Sequence, residues 1–391
     1  MTPDNAPKRR ILFVDDEKAI LDGLQAMLRP QRREWEMSFV LGGPAALEEV
    51  KRSTFDVVVT DMRMPVLSGA ELLQWVKDLQ PQAVRLVLSG QTDSETAMKT
   101  VFTAHQFIAK PCEADKLRAV VKRACDLNDL VTGSELRALA GDVSILPSAP
   151  GTYLAVNRAL GGPNASMQDI AEIIECKPAL CAKLLQVVNS AFFGIPRVVT
   201  NINQAANYLG TAALKNLVLA MESMANTGSG GLTAPEHKAF QANGFLVALI
   251  GRKWFASDAR RADNAFVAGM LRDMGHLVLA PGGTPARPNS SQCAALSAYL
   301  LGLWGIPHAV LEAVAFHEEP WRVEHDQLDV VDVIHLADRI AADLAPSPFK
   351  VEKQRFEFEH FSRLGVSRLA IEELRAEGAT LLRQSRELLR A

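Results

Sequence analysis

The feature that most constrains this chain is an alternation near its start. Short apolar runs at Arg10–Val14, Glu36–Leu41, Val57–Thr60, Val84–Leu88 and Gln106–Ala109 are separated by segments of helical spacing. Those segments are Ala19–Leu28, Pro44–Lys51, Gly69–Leu79, Ser94–Thr103 and the stretch from Glu113 onward. Runs this short and apolar, Val57–Thr60 above all, fit strands of a sheet covered on both faces. Strands interleaved with helices predict an α/β domain built on a five-stranded parallel sheet.

In an open sheet of this kind, chemistry gathers beyond the carboxyl ends of the strands. Asp15 and Asp16 follow the first predicted strand, Asp61 the third, Ser89 the fourth and Lys110 the fifth. Three carboxylates, a hydroxyl and an ammonium are thus expected along one edge. Carboxylate oxygens from two strands suit Mg²⁺, which prefers oxygen ligands and keeps several waters. A carboxylate is also a competent nucleophile toward phosphorus. Asp61 is the candidate phosphoacceptor, with Lys110 and Ser89 placed to contact phosphoryl oxygens.

The Asp15-Asp16 pair, the segment Asp61-Met62-Arg63-Met64-Pro65, Gly69, Ser89 and Lys110-Pro111 together resemble the receiver domain of two-component response regulators. The resemblance spans about Arg10 to Leu127 and implies a flavodoxin-like fold. It further implies phosphorylation of Asp61 by a sensor histidine kinase or phosphotransfer protein. Mg²⁺ would be held by Asp15, Asp16, Asp61 and the Arg63 carbonyl. Ser89 and Phe107 match the switch positions, the hydroxyl moving toward the phosphate while the ring turns inward. A cis Lys110-Pro111 bond is expected.

Beyond Pro111, Leu117, Val120, Ala124, Leu127 and Val131 follow a 3,4,3,4 spacing, which places them on one stripe of a helix. Two readings stand side by side: the stripe packs on its own sheet, or it forms a signalling helix or dimer seam. The predicted plan is a receiver at 1–127, a linker helix at 128–145 and an all-α domain at 146–391.

From Leu146 strand signals vanish. Helices are predicted at Gly151–Leu160, Met167–Glu175, Pro178–Asn189, Ile202–Leu209, Thr211–Met224, Pro235–Phe255, Ala262–Leu279, Gln292–Trp304, His308–Phe316, Gln327–Asp343 and Val366–Leu389. Asn226–Pro235 and Pro281–Ser291 read as loops. Leu369, Leu374, Leu381 and Leu388 form the apolar stripe of a final capping helix.

The succession Leu146-Pro147-Ser148-Ala149-Pro150, Ile170 to Leu180, Lys183 to Ala191, Ile202 to Gly210 and Trp304-Gly305-Ile306-Pro307 resembles the HDOD family. That family is a helical output domain related to metal-dependent HD phosphohydrolases. The hydrolase pattern calls for His and Asp ligands that hold metal and activate water. Here Asn243 stands at the first His position, with His237 as a looser match, and Arg272-Asp273 replaces the His-Asp pair. Cys293 takes a further His position, His317-Glu318 the next, and Asp338 is the final acid. Arginine has no available lone pair and is always charged, so it repels a divalent cation. The centre is therefore expected to be metal-free and non-catalytic, with Arg272 pairing with Asp338 or Asp273. His276 and His317 are expected to serve packing and local hydrogen bonds, and Asn189 to be buried between helices.

Composition narrows the remaining classes. A net charge of -3 gives no global attraction to nucleic acid or anionic lipid, and no recognition-helix signature stands out. No apolar run is long enough to span a bilayer and no secretory signal opens the chain, so membrane insertion is not expected and the location reads as cytoplasmic. Cys112, Cys125, Cys176, Cys181 and Cys293 are odd in number and contain no CxxC pair, so they read as buried thiols. The resulting expectation is a phosphorylation-controlled signalling protein, with no enzyme activity in its output. That output would act on a downstream protein not identifiable from sequence, with homodimerisation left open. The alternative is a receiver-regulated metal-dependent phosphohydrolase acting on a nucleotide or cyclic dinucleotide.

Overall fold

A computed structural model describes residues 8–89, 103–130, 156, 159, 166–189, 195, 198–225, 233–279, 290–349 and 356–385. The predicted helices Ser94–Thr103 and Gly151–Leu160, nearly all of the linker, and the loops Asn226–Pro235 and Pro281–Ser291 lie wholly or largely outside these residues. The chain divides into two compact units, the first holding residues 1–144 and the second most of the chain that follows.

The first unit is an α/β domain. Its strands are β1 (Arg9–Asp15), β2 (Trp35–Leu41), β3 (Val57–Asp61), β4 (Val84–Ser89) and β5 (Gln106–Ala109). They form one parallel sheet in the order β2-β1-β3-β4-β5, the flavodoxin-like arrangement. Every residue of β3 is buried, as an apolar strand covered on both faces requires. Phe13 and Phe39 stack across the β1–β2 pair with centroids 5.1 Å apart. The register pairs Val14 with Thr60, so Asp15 and Asp61 end neighbouring strands on the same side.

Helices α1 (Lys18–Met27), α2 (Gly43–Arg52), α3 (Gly69–Leu79) and α4 (Ala114–Leu130) belong to this unit. A capping box starts α3: Ser68 Oγ accepts from Glu71 N at 3.3 Å while the Glu71 carboxylate accepts from Ser68 N at 2.9 Å. On α4 the buried face is Leu117, Val121, Ala124 and Cys125, whereas Val120 is only half-buried. The stripe is thus rotated from the predicted one, because the helix turns toward its own sheet. The Leu127 side chain and Val131 lie outside the described residues.

The second unit is helical throughout its described residues: α5 (Met167–Glu175), α6 (Pro178–Val188), α7 (Ile202–Ala225), α8 (Ala234–Trp254), α9 (Ala259–Leu271), α10 (Met274–Leu279), α11 (Ser290–Leu303), α12 (His308–Phe316), α13 (Val330–Leu344), α14 (Phe358–Arg363) and α15 (Arg368–Ser385). All of α6 is buried, which marks it as a central helix. Its Lys183 stays hydrogen-bonded, donating from Nζ to Gln186 Oε1 at 2.9 Å. Gly269 lets α9 approach α8 closely, since a Cβ there would fall 2.7 Å from Ala248 N.

Three predicted boundaries change. Ile202–Leu209 and Thr211–Met224 run almost continuously as α7, with Gly210 at φ 76° supplying the kink between them. The single helix predicted at Ala262–Leu279 breaks at Arg272-Asp273 into α9 and α10, although its apolar periodicity continues across the break. The last helix begins at Arg368, preceded by the separate short α14. Within α15, which packs on α8 and α13, Leu374 is buried but Leu369 is 69% exposed, so only part of the predicted stripe faces the core.

Candidate functional site: a carboxylate pocket and an arginine-filled centre

At the carboxyl edge of the sheet, Lys110 bridges two acids. Its Nζ donates to Asp15 Oδ2 at 2.8 Å and to Asp61 Oδ1 in a still closer contact. The other Asp15 oxygen accepts from Glu17 N at 3.0 Å, and Asp61 Oδ2 accepts from Arg63 N at 2.7 Å. Asp15 and Asp61 are both buried. Burial pulls the Lys110 ammonium down, but hydrogen bonds and charges from Asp15 and Asp61 outweigh it and hold the group above the ordinary lysine range. The Lys110-Pro111 bond is cis, as expected.

Gly69 fixes the backbone beneath Asp61. A Cβ at Gly69 would lie 1.9 Å from the Asp61 carbonyl oxygen, and Gly69 N donates to Met62 O at 3.0 Å. Any other residue would push α3 away from Asp61.

The predicted edge is thus only partly assembled. Asp15, Asp61 and Lys110 meet, whereas Asp16 is exposed and completes no three-ligand group with them. The Ser89 backbone ends β4 next to the site, but its side chain is outside the described residues. Phe107 lies in β5 with its ring already buried.

In the helical unit, Arg272 occupies the centre where the hydrolase pattern would place a metal ligand. Its guanidinium is 1% exposed and reaches Asp338 Oδ1 through Nη2 at 2.7 Å and Nε at 3.0 Å. Nη2 also lies 3.1 Å from Asp273 Oδ2 and donates to Asn243 Oδ1, while Nη1 donates to Gly269 O at 2.5 Å. Asn243 in turn donates from Nδ2 to Ala345 O at 2.7 Å. Burial opposes the charge on Arg272, but the Asp273 and Asp338 carboxylates raise its pKa further above the usual arginine value. The expected pairing with Asp338 or Asp273 is made to both.

The remaining positions are spread around this core. Asp273, His317 and Asp338 do not bring three donor atoms within 4.8 Å of one another. Buried His317 has Nδ1 2.9 Å from Val314 O, a local contact. Cys293 is buried where α11 meets α10, its carbonyl accepting from Ser297 Oγ at 2.9 Å. His276 stacks on Phe349 at 4.5 Å, a packing contact. Asn189 is half-buried rather than buried, because it sits just past the end of α6. His237 has no described side chain.

Residues 11–122 match the model of the response regulator receiver domain, and residues 146–283 match that of the HDOD domain. The chain therefore carries a receiver domain of the response regulator type. Its second domain is an HDOD domain, and helices α11 to α15 lie beyond the matched span. Among curated proteins, the transcriptional regulatory protein ZraR of Escherichia coli (strain K12) is 35% identical over 127 residues, covering 32% of this chain and 27% of the relative. The hydrogenase transcriptional regulatory protein HoxA of Cupriavidus necator is 35% identical over 122 residues, covering 31% and 25%. The chain spans about a quarter of the length of these two relatives. Among solved structures, the receiver domain of an HD domain-containing protein from Pseudomonas fluorescens Pf-5 is 23% identical with a TM-score of 0.30, covering 32% of this chain and 98% of that one. Among the described residues, no helix is long and apolar enough to cross a membrane.

Proposed function

We propose that this response regulator is switched by phosphorylation of Asp61 and that its HDOD domain transmits the signal by protein contacts, not by hydrolysis. The observation that carries the reading is the Asp15–Lys110–Asp61 cluster at the sheet edge. A buried carboxylate held by a lysine and a backbone N–H is oriented for attack on phosphorus. An Asp61 oxygen forms the new P–O bond as the P–N bond to a kinase phosphohistidine breaks. Lys110 is placed to follow the charge that moves onto the phosphoryl oxygens.

The donor set fits Mg²⁺. Asp15 and Asp61 present carboxylate oxygens that converge on Lys110, exposed Asp16 adjoins Asp15, and the Arg63 backbone lies against Asp61. Asp15, Asp16, Asp61 and the Arg63 carbonyl would hold the ion, which when bound neutralises charge on an incoming phosphoryl group. Ser89 and Phe107 are the proposed switch pair. The Phe107 ring is already buried in the unmodified protein.

Arg272 argues against a hydrolytic output. A fixed guanidinium paired with Asp273 and Asp338 neutralises the carboxylates a metal would need, and it would repel the metal itself. A switch acts only through a free-energy difference between two states. Phosphorylation is therefore expected to change partner binding or self-association of the helical domain.

The test compares unmodified and beryllofluoride-treated full-length protein by affinity capture and by sedimentation. A changed set of partners or a changed oligomeric state supports the reading; identical behaviour contradicts it. Turnover of cyclic dinucleotides with Mn²⁺, Fe²⁺ or Mg²⁺ that Asp273→Ala abolishes would instead establish the hydrolase.

A further inference from the structure

A second cluster lies in the helical unit, apart from the Arg272 centre. His325 follows the 3-10 turn Pro320–Arg322, Asp332 sits in the first turn of α13, and His360 lies in α14. His325 Nε2 is 2.7 Å from Asp332 Oδ2, and His360 Nε2 is 2.6 Å from Asp332 Oδ1. Among the described residues this is the one group of three His, Cys, Asp or Glu side chains whose donor atoms all lie within 4.8 Å of one another. Asp332 and Asp338 stand six residues apart on α13, about 9 Å along its axis at 1.5 Å per residue. The two centres are therefore separate.

We propose that His325, Asp332 and His360 form a binding site for a divalent transition-metal ion of the zinc class. The hydrogen-bond pattern at His325 carries this furthest. Its Nδ1 lies 2.8 Å from Val323 O, and a carbonyl oxygen can only accept. Nδ1 therefore carries a proton, which in the neutral ring leaves Nε2 with a bare lone pair. That lone pair faces a carboxylate oxygen, which is also an acceptor. Two acceptors face each other only if a cation stands between them: a second proton on the ring, or a metal ion. An Nδ1–H bonded to a backbone carbonyl is also the outer-sphere arrangement that aims Nε2 at a metal.

Burial and ligand type select the metal. The Asp332 side chain is 0% exposed and His325 15%. An isolated carboxylate so enclosed is costly unless a cation stays beside it. Asp332 Oδ2 already accepts from Asp329 N at 2.9 Å, which fixes the carboxylate at the start of α13. Trp321 and Phe361 pack edge-on against the His360 ring, with centroids 6.4 and 5.1 Å away, and keep that side apolar. Two imidazoles and one carboxylate suit Zn²⁺ or its neighbours, whereas Mg²⁺ and Ca²⁺ prefer oxygen ligands throughout. Metal–ligand bonds of about 2.0–2.1 Å at tetrahedral angles put neighbouring donors roughly 3.3 Å apart. Each of the two contacts therefore opens by about 0.6 Å, within the reach of side-chain rotation.

Three protein ligands leave a fourth position for water or an outside ligand. His325 is the least buried of the three and lines a cavity of about 470 Å³ that it shares with Arg260, Arg261 and Asn264. A ligand entering by that cavity meets His325 first. The bound ion would tie the 323–325 turn, α13 and α14 together.

The experiment uses the full chain, stripped with a chelator and then titrated with Zn²⁺ or Co²⁺. With excess Mg²⁺ present to occupy the receiver acids, binding of one Zn²⁺ or Co²⁺ per chain, with the visible absorption of four-coordinate Co²⁺, is expected. Asp332→Asn and His360→Gln should each weaken binding on the order of 100-fold or more. Asp61→Asn and Asp273→Asn should leave it unchanged, which separates this site from the receiver and from the Arg272 centre. Circular dichroism checks the variants, and His325→Gln, in an irregular turn, provides a readout if a helical variant fails to fold. Overturning results are no Zn²⁺ or Co²⁺ bound after stripping, so that the cluster is a protonated hydrogen-bonded triad only, or binding that these substitutions leave intact.

Discussion

The Arg272 guanidinium places both Nη2 and Nε on one oxygen of Asp338, at 2.7 and 3.0 Å, in a part of the helical domain closed to solvent. The pairing gives Asp338 and neighbouring Asp273 a counter-charge supplied by the chain itself.

The energetic consequence is direct. Asp338→Ala leaves a buried guanidinium with less than its full counter-charge, and the loss is expected to be about 3–5 kcal/mol. Replacing the guanidinium and both acids with apolar residues, as in Arg272→Met with Asp273→Leu and Asp338→Leu, should cost less than Asp338→Ala alone. Urea unfolding of the native protein and the two variants checks this. A triple variant no more stable than Asp338→Ala would mean that the ion-paired group is not the main energetic link.

Lys110 makes a pH prediction. Its folded-state pKa is raised, so its stabilising contribution is complete below the unfolded value of about 10.4 and fades as pH climbs through the higher folded value. The native protein should therefore lose stability above about pH 10 more steeply than Lys110→Met does. Between pH 6 and about 9 the difference between the two should be flat. Thermal midpoints across alkaline buffers measure both slopes, and parallel curves would contradict the assignment.

The thiols should react in a set order. Burial pushes Cys176 up to about 12 and Cys181 well above its ordinary value, so neither offers thiolate near neutrality. Cys112 is also raised by burial but is only half-buried. Iodoacetamide on the native protein should alkylate Cys112 first, and reach Cys125, Cys176, Cys181 and Cys293 only after unfolding. Peptide mass spectrometry reads the order, and early labelling of Cys176 would count against the packing of α5 and α6.

Much of the receiver was legible because its chemistry is tied to strand ends. Asp15, Asp61 and Lys110 are far apart in sequence, yet each follows a short apolar run, and a parallel sheet brings such ends together. The arginine centre was legible through one residue type, since arginine cannot be a metal ligand at any geometry. The break at Arg272-Asp273 was hidden because apolar periodicity continues from α9 into α10. Leu369 misled in the opposite way: it keeps the helical period but falls on the solvent side of α15. The His325–Asp332–His360 cluster left no spacing signal. Asp332 reads locally as a helix-cap acid, and its partners come from a turn and a separate short helix.

A phosphorylation switch in this chain stands or falls with Asp61 as its acceptor. The most direct measurement is labelling of the purified full-length chain with a small-molecule phosphodonor in the presence of Mg²⁺. The expected product is an alkali-labile acyl phosphate that disappears when Mg²⁺ is chelated and in Asp61→Ala. An unlabelled native protein, or equal labelling of Asp61→Ala, would contradict it.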